Sequence, residues 1–179
     1  GMFSIVICDL RKKKFLFIRD PYGIKPLYYY RNNETFLFSS TLKSLLNFKQ
    51  INKKISEESL NFFYFFCFIK ENQTIIEGVK SFEPGYLYEV DFSNNFNKIK
   101  VFDVADIFRS TQKKEIDLKE HFENNLINHL QSDVPVAVLL SSGLDSSVIL
   151  NTLNEKKINT HAITLGIEEF KGKNEDETI

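Results

Sequence analysis

Val136-Ala137-Val138-Leu139-Leu140-Ser141-Ser142-Gly143-Leu144-Asp145-Ser146-Ser147-Val148-Ile149-Leu150 is the stretch on which the reading of this 179-residue chain turns. Its apolar run predicts a short buried strand, the Ser/Gly-rich turn breaks it, and the apolar residues after the turn predict a helix to about Leu153. A strand that opens through such a turn into a helix gathers backbone N–H groups and hydroxyls around one point. The partial positive charge of the helix N-terminus faces the same point, so an anion fits there, phosphate above all. Asp145 is the discordant member, because a carboxylate beside a phosphate is repulsive unless a cation lies between them. Mg²⁺ is the obvious bridge. Ser, Gly and Asp are also ordinary turn formers, and composition alone does not separate the two readings. Context favours the first, since ligands of open α/β sheets bind just beyond the carboxyl ends of the strands.

A second buried strand is predicted at His161-Ala162-Ile163-Thr164-Leu165, after a polar turn. Strand, helix and strand in that order make a βαβ unit with parallel strands. One such unit does not close an α/β domain, so the chain is expected to be a fragment or to lack most of this domain. A Walker-type loop would require GxxxxGK[ST], whose lysine reaches the β- and γ-phosphates, and the loop has no lysine. GxGxxG is absent too. A lysine-free loop of serines, glycine and aspartate suits pyrophosphate as a leaving group better than transfer of the γ-phosphate.

The first half of the chain reads differently. Strands are predicted at Met2 to Cys8, Phe15 to Ile18, Leu27 to Tyr30 and Phe36 to Ser39, separated by polar turns dense enough to favour antiparallel pairing. Thr41 to Phe48 reads as a short helix, and Ser56 can cap a longer one from Glu57 to about Ile69, with Glu57 and Glu58 well placed for the dipole. Thr74-Ile75-Ile76 and Tyr86 to Val90 look strand-like, with a turn at Glu83-Pro84-Gly85. Asp91 to Lys98 reads as another exposed turn or loop. Ala105 to Lys114 is polar and unpatterned, the expected linker, and Asp117 to Gln131 is a helix with Leu118, Phe122, Leu126 and Leu130 on one face.

Composition is that of an ordinary globular chain, with 42% hydrophobic and 26% charged residues. A formal net charge of −1 supplies no basic field for nucleic acid or an anionic membrane. The runs Lys12-Lys13-Lys14 and Lys53-Lys54 read as solvated turns. Phe62-Phe63-Tyr64-Phe65-Phe66-Cys67-Phe68-Ile69 is far short of the roughly 20 residues of a membrane span, so it reads as a core helix or an interface. No signal peptide is visible, since the opening apolar run precedes its basic residues. Cys8 and Cys67 have no metal-ligand spacing and read as buried small hydrophobes in a reducing compartment. His121, His129 and His161 are too scattered for a shared metal. Glu168, Glu169 and Glu175 to Glu177 read as a solvated acidic loop.

The block Ser132-Asp133-Val134-Pro135-Val136-Ala137-Val138-Leu139-Leu140-Ser141-Ser142-Gly143-Leu144-Asp145-Ser146-Ser147 resembles the start of the synthetase domain in glutamine-dependent asparagine synthetases, whose pyrophosphate loop reads SGGLDSS. Ser142 departs from the glycine usual there, adding a side chain that is expected to narrow the site. Gly1 to Ile5, the run Arg19-Asp20-Pro21-Tyr22-Gly23-Ile24-Lys25-Pro26-Leu27-Tyr28-Tyr29, and Phe38-Ser39-Ser40 resemble the late part of the family's glutaminase domain. Glu83-Pro84-Gly85 falls at a Pro-Pro-Gly turn of the family. Asn174 to Glu177 resembles an acidic stretch beyond its second nucleotide-binding strand.

The resemblance implies an α+β then α/β chain. Residues 1–108 would be the C-terminal part of an N-terminal-nucleophile glutaminase sandwich of antiparallel sheets and helices. Residues 109–179 would be the first βαβ unit of a Rossmann-like PP-loop ATP pyrophosphatase domain. Family members release ammonia from glutamine with the thiol of an N-terminal cysteine. They activate aspartate with ATP as an acyl-adenylate, release pyrophosphate, and amidate the aspartyl group. Residue 1 here is Gly1, so no glutaminase catalytic residue is identifiable and the chain by itself is expected to be inactive. Arg19, Asp20, Gly23 and Pro26 are expected to shape a turn and its ion pair.

Ser141, Ser142, Gly143, Ser146 and Ser147 would surround the pyrophosphate, Asp145 would hold Mg²⁺, and Leu139 and Leu165 would line the adenosine pocket. ATP and Mg²⁺ are thus the implied cofactors, and aspartate and glutamine-derived ammonia the remaining small-molecule substrates. A cytoplasmic location and a homodimer are implied as well, with no nucleic-acid or membrane partner. The alternatives are a ligase acting on another carboxylate, as in β-lactam-forming or peptide-maturing relatives, and a truncated, non-catalytic binding protein.

Overall fold

The computed structural model describes residues 1–109 and 115–166. Two compact units divide the chain, residues 1–112 and 113–179. Unit one begins with the antiparallel pair β1 (Ser4–Asp9) and β2 (Lys14–Arg19), then β3 (Tyr28–Arg31), β4 (Phe36–Ser39), the single turn α1 (Leu42–Leu45) and α2 (Glu57–Phe66). It continues through β5 (Val79–Ser81), β6 (Tyr86–Asp91), β7 (Phe96–Lys100) and α3 (Val104–Arg109). The strands form two antiparallel sheets, ordered β1-β2-β6-β7 and β4-β3-β5. Side-chain acceptors pin the hairpin turns: Asp9 Oδ1 accepts from the N–H groups of Arg11 and Lys12 at 3.0 and 2.9 Å, and Asn32 Oδ1 accepts from those of Glu34 and Thr35.

Aromatic rings join the two sheets. Phe17 of β2 stacks on Phe82 with centroids 4.9 Å apart and meets Phe38 of β4 edge-on, also at 4.9 Å. Tyr29 of β3 reaches Phe82 and Phe96 at 4.6 and 5.5 Å. Phe17, Leu27, Phe82, Tyr88 and Val90 are the buried centre of this cluster. Rings of this size dominate core energetics, which is how a unit with short strands acquires one continuous interior. A second cluster, Leu45, Ile51, Ile76 and Val79, lies under α1.

Both chain crossings between the sheets are held by Arg19 and Asp20. Arg19 donates to the carbonyls of Lys25 (2.8 Å), Gly23 (2.6 Å) and Phe82 (2.8 Å) and to Ser81 Oγ (2.9 Å). Asp20, fully buried, accepts backbone N–H bonds from Tyr22, Ile24 and Lys25 at 3.0 to 3.1 Å. The expected ion pair is therefore replaced by two sets of backbone bonds. Peptide groups of the tight turn leave their donors and carbonyls unpaired, and the two charged side chains satisfy them.

The second crossing turns at Gly85. Its φ is +73°, and a Cβ there would lie 2.6 Å from the Phe102 carbonyl oxygen. The Gly85 carbonyl in turn accepts the N–H groups of Val101 and Phe102 at 2.9 and 3.0 Å, so neither strand can retreat freely. Gly85→Ala is expected to cost about 2 kcal/mol, a sum of backbone strain and steric displacement. Urea unfolding followed by circular dichroism measures it, and an unchanged midpoint would contradict this close approach.

Several expectations are corrected. Asp91 to Lys98 is the expected exposed turn only as far as Asn95, with Asp91 Oδ1 accepting from the N–H groups of Ser93 and Asn95; from Phe96, which pairs with Val90 of β6, the segment is strand β7. Burial of the Phe96 ring anchors a strand that the polar residues around it concealed. Thr74 to Ile76 carries only a bridge between Ile76 and Ile55, because Thr74 Oγ1 bonds the carbonyls of Ile76 and Val79 and bends the segment. Ala105 belongs to α3 rather than to a linker, its N–H donating to Asp103 Oδ1 at 2.9 Å. Residues 110–114 of the expected linker lie outside the described residues.

Helix α2 starts where expected, with Ser56 accepting from the Ser59 N–H, but stops at Phe66 because Cys67 takes the left-handed conformation, φ 58°. Of its residues only Ser59 is buried, while Tyr64 and Phe65 are 75% and 82% exposed. The core role expected for this aromatic run is therefore not what unit one shows. An unbroken apolar run has no periodicity to select an inward face, and the helix packs along its small residue. Cys8 and Cys67 are exposed free thiols, not buried hydrophobes.

Unit two comprises α4 (Leu118–His129), β8 (Ala137–Leu139), α5 (Leu144–Glu155) and β9 (His161–Ile163). Asp117 caps α4 by accepting from the Glu120 N–H at 3.1 Å. β8 and β9 pair in parallel, with Ala137, Val138 and Leu139 opposite His161, Ala162 and Ile163, and α5 packs on β8. The α+β then α/β order expected from the sequence is thus observed. The strands, however, are not buried: β8 is partly exposed and β9 exposed throughout. Parallel strands bury only when helices cover both faces of their sheet, and the described residues supply no such cover. For the same reason the apolar stripe of α4 has no fully buried member, and Leu118 is 79% exposed. Glu168, Glu169 and Asn174 to Glu177 lie outside the described residues. No described helix is long and apolar enough to cross a membrane.

Candidate functional site

Parallel pairing continues one step past β8, the Leu140 N–H donating to the Ile163 carbonyl at 2.9 Å. Ser141-Ser142-Gly143 then turns the chain into α5. Gly143 is the N-cap, at φ −75° and ψ 153°, and makes no side-chain capping bond. Having no side chain, glycine leaves the first-turn N–H groups open to an external acceptor, which a capping serine or aspartate would fill. A Cβ on Gly143 would stand 3.1 Å from Ser141 Oγ, closer than the Ser141 hydroxyl can comfortably accept while it also takes the Gly143 N–H at 3.3 Å.

The serines of the loop differ in what they touch. Ser146 Oγ donates to the Ser141 carbonyl at 2.9 Å, with the Gly143 carbonyl at 3.2 Å, accepts the Ser141 N–H at 3.2 Å, and lies 3.0 Å from Ser141 Oγ. Ser147 Oγ donates to the Gly143 carbonyl at 2.9 Å. These bonds bring Ser141, Gly143, Ser146 and Ser147 together as one closed turn. Ser142 is exposed and takes no part in that network.

Asp145 sits exposed in the first turn of α5, where the helix dipole favours its charge. Among the described residues no group of three or more His, Cys, Asp or Glu side chains gathers around a metal position. That donor set does not make an all-protein cage, but it fits Mg²⁺, which binds through one or two carboxylates together with substrate phosphates and water. Leu139 and Leu165 are 78% and 79% exposed. Leu139 pairs with Ile163, two residues before Leu165, so both leucines belong to the same end of the strand pair. As core residues they would be buried. Their exposure at the carboxyl end instead leaves apolar surface beside the loop.

Leu144 is the first residue of α5, directly behind the uncapped Gly143, and its backbone N–H is one of the donors that the turn was expected to gather. The available signal was the glycine itself, since an N-cap without a side chain leaves the donors behind it free.

Comparison with known proteins divides the chain in the same order. Residues 1–102 match the family model of the glutamine amidotransferase domain, and residues 117–179 match that of asparagine synthase. An asparagine synthetase (glutamine-hydrolysing) 1 of Bacillus subtilis is 32% identical over 173 residues, covering 94% of this chain and 27% of that protein. A putative asparagine synthetase (glutamine-hydrolysing) 2 of Methanocaldococcus jannaschii is 30% identical over 176 residues, covering 94% of this chain and 34% of the relative. A Gibberella zeae protein named amidase chry2 is 28% identical over 159 residues, covering 83% of this chain and 22% of its own length. The chain thus spans about a quarter to a third of the length of such relatives. With a glutamine amidotransferase domain match followed by the beginning of an asparagine synthase domain, this chain belongs to the glutamine-dependent asparagine synthetase family.

Proposed function

We propose that the chain is part of an ATP-dependent amide ligase that converts aspartate to asparagine with ammonia from glutamine. The observation that carries this reading is the uncapped, serine-lined N-terminus of α5 at the carboxyl end of a parallel strand, within the segment that matches asparagine synthase. The aspartate carboxylate attacks the α-phosphorus of ATP, forming the aspartyl-adenylate and releasing pyrophosphate. Ammonia then attacks the acyl carbon, and AMP leaves as the amide forms.

In this reading the N–H groups of Leu144 and Asp145, with the hydroxyls of the loop, bind the β- and γ-phosphate oxygens and hold the leaving group in line. Magnesium, when bound, neutralises charge on the departing pyrophosphate. Asp145 is the side chain that would hold it. Leu139 and Leu165 would cover the adenosine, with their exposed apolar surface as support. A domain boundary near residue 108 belongs to the same reading, supported by the division into residues 1–112 and 113–179. So do a cytoplasmic setting, supported by two exposed free thiols, and a homodimer, supported by the aromatic surface of α2.

The test is release of pyrophosphate from ATP by the full-length protein with Mg²⁺ and glutamine, with and without aspartate. Aspartate-dependent release together with asparagine formation is expected. ATP turnover indifferent to aspartate would overturn the assignment of substrate. One second reading is a ligase for another carboxylate. It predicts release that responds to that acid instead.

A further inference from the structure

We propose that unit one carries an anion site of its own, a groove between the β3–β4 turn, β5 and the β6–β7 turn that takes a phosphate monoester on Arg31 and Lys80. A cavity of about 560 Å³ opens there, within the range of small-molecule sites, and its lining includes Tyr29, Arg31, Lys80, Asn94 and Phe96. Strand register brings the two cations together. Tyr29 lies directly opposite Lys80 in the β3–β5 pair, and Arg31, next but one after Tyr29, shares that face of the sheet. Arg31 and Lys80 are thus diagonal neighbours, roughly 7 to 8 Å apart, a separation that two long side chains close around one anion.

Charge distinguishes this groove from the rest of unit one's strands. Lys14, Lys98 and Lys100 are paired with Glu89, Glu83 and Asp103. Among the described residues neither Arg31 nor Lys80 has a carboxylate partner. The Asp91 carboxylate is taken up by the N–H groups of Ser93 and Asn95 and the side-chain amide of Asn95, and Glu34 lines a neighbouring cavity with Phe36 and Phe38 instead. Arg31 is also set in place without a ligand. Its Nε and Nη2 donate to Oδ1 and the carbonyl of Asn94 at 3.2 and 2.7 Å, and its guanidinium lies 5.2 Å from the Phe96 ring centroid. Asn94 Nδ2 donates to the Asn32 carbonyl at 2.7 Å, which ties the two turns to each other. Nη1 donates to no described group, so a guanidinium already fixed still offers N–H donors and loses little freedom on binding. A phosphate monoester matches the pair, because its charge at neutral pH approaches −2 and three oxygens accept. A single carboxylate would leave one cation unneutralised.

The experiment follows hydrogen–deuterium exchange of the full-length protein by mass spectrometry with glycerol 3-phosphate, with glycerol, or with sodium chloride at equal ionic strength. Only glycerol 3-phosphate is expected to slow exchange in peptides containing residues 31–35 and 92–96. The concentration for half of that effect should rise about 10-fold or more in Arg31→Gln and in Lys80→Ala. Lys80 is exposed and its side chain bonds to no described group, so Lys80→Ala keeps the wild-type unfolding midpoint even where Arg31→Gln loosens the turns. Absence of protection in these peptides, equal protection by sodium chloride or glycerol, or wild-type behaviour of Lys80→Ala would overturn the site. Protection confined to the turn before α5 would overturn it too, placing the phosphate at the nucleotide loop and leaving that reading intact.

Discussion

Asp145→Ala is expected to reduce aspartate-dependent pyrophosphate release by the full-length protein by roughly 10²-fold or more, an effect of several kcal/mol on the transition state. Negative charge gathers on the leaving pyrophosphate, and the carboxylate of Asp145 is the group that would keep a divalent cation against it. Asp145→Asn preserves the shape of the side chain and removes only the charge, so it should lose nearly as much. A bland role is also open to this residue, because a carboxylate in the first turn of α5 complements the helix dipole. That role is worth less than about 1 kcal/mol of stability and nothing in turnover. Measuring both quantities separates the two. Loss of turnover with nearly unchanged stability supports the metal role, whereas unchanged turnover would remove Asp145 from the site.

The second large effect concerns stability. Asp20→Ala is expected to destabilise unit one by about 3 kcal/mol, since it empties a fully buried carboxylate position and removes the acceptor shared by the part-buried N–H bonds of Tyr22, Ile24 and Lys25. For a unit of this size the melting temperature should fall by about 10 °C or more. Burial pushes the Asp20 carboxyl up, but bonds from the backbone at Lys25, Ile24, Tyr22 and Phe3 together pull it further down, and the net pKa is lowered. A carboxyl lowered on folding contributes stability that is complete at neutral pH and declines as pH falls below about 3.9, through the folded value. Acid unfolding of wild type should therefore steepen in that range. Asp20→Asn should flatten this dependence, because an amide does not titrate. Equal acid sensitivity in both proteins would show that the carboxylate is not the group concerned.

How far the sequence could be read differs between the units. The hairpins β1–β2 and β3–β4 were legible because alternation, polar turns and Asp or Asn acceptors all act within a few residues. The cap Ser56 was legible for the same reason and accepts the N–H three residues on, whereas Asp117, read as the start of its helix, turns out to cap it in the same way. β7 was not, because its only apolar anchors, Phe96 and Ile99, stand among Asn and Lys. What makes it a strand is pairing with β6 and the rings of Tyr29 and Tyr88 beside Phe96. The start of β5 and the start of α3 were hidden in the same way, by side-chain bonds of Thr74 and Asp103 that no hydropathy pattern carries. At the candidate site, the turn between strand and helix was legible from the sequence. Which hydroxyls are engaged and which are free was not, because that depends on distances across the turn.

By itself the sequence determined the order of the two architectures, the strand-turn-helix at Leu139 to Leu144, and the chemistry that such a turn offers. Each of these follows from interactions between neighbours in the chain, where residue type and spacing suffice. Only the tertiary structure decided that Arg19 and Asp20 serve backbone groups of two separate crossings, that the rings of α2 are largely exposed, and that the hydroxyls of Ser141, Ser146 and Ser147 close the loop on itself. These depend on which surfaces meet after folding, and burial or pairing across long sequence separations is not written in local pattern.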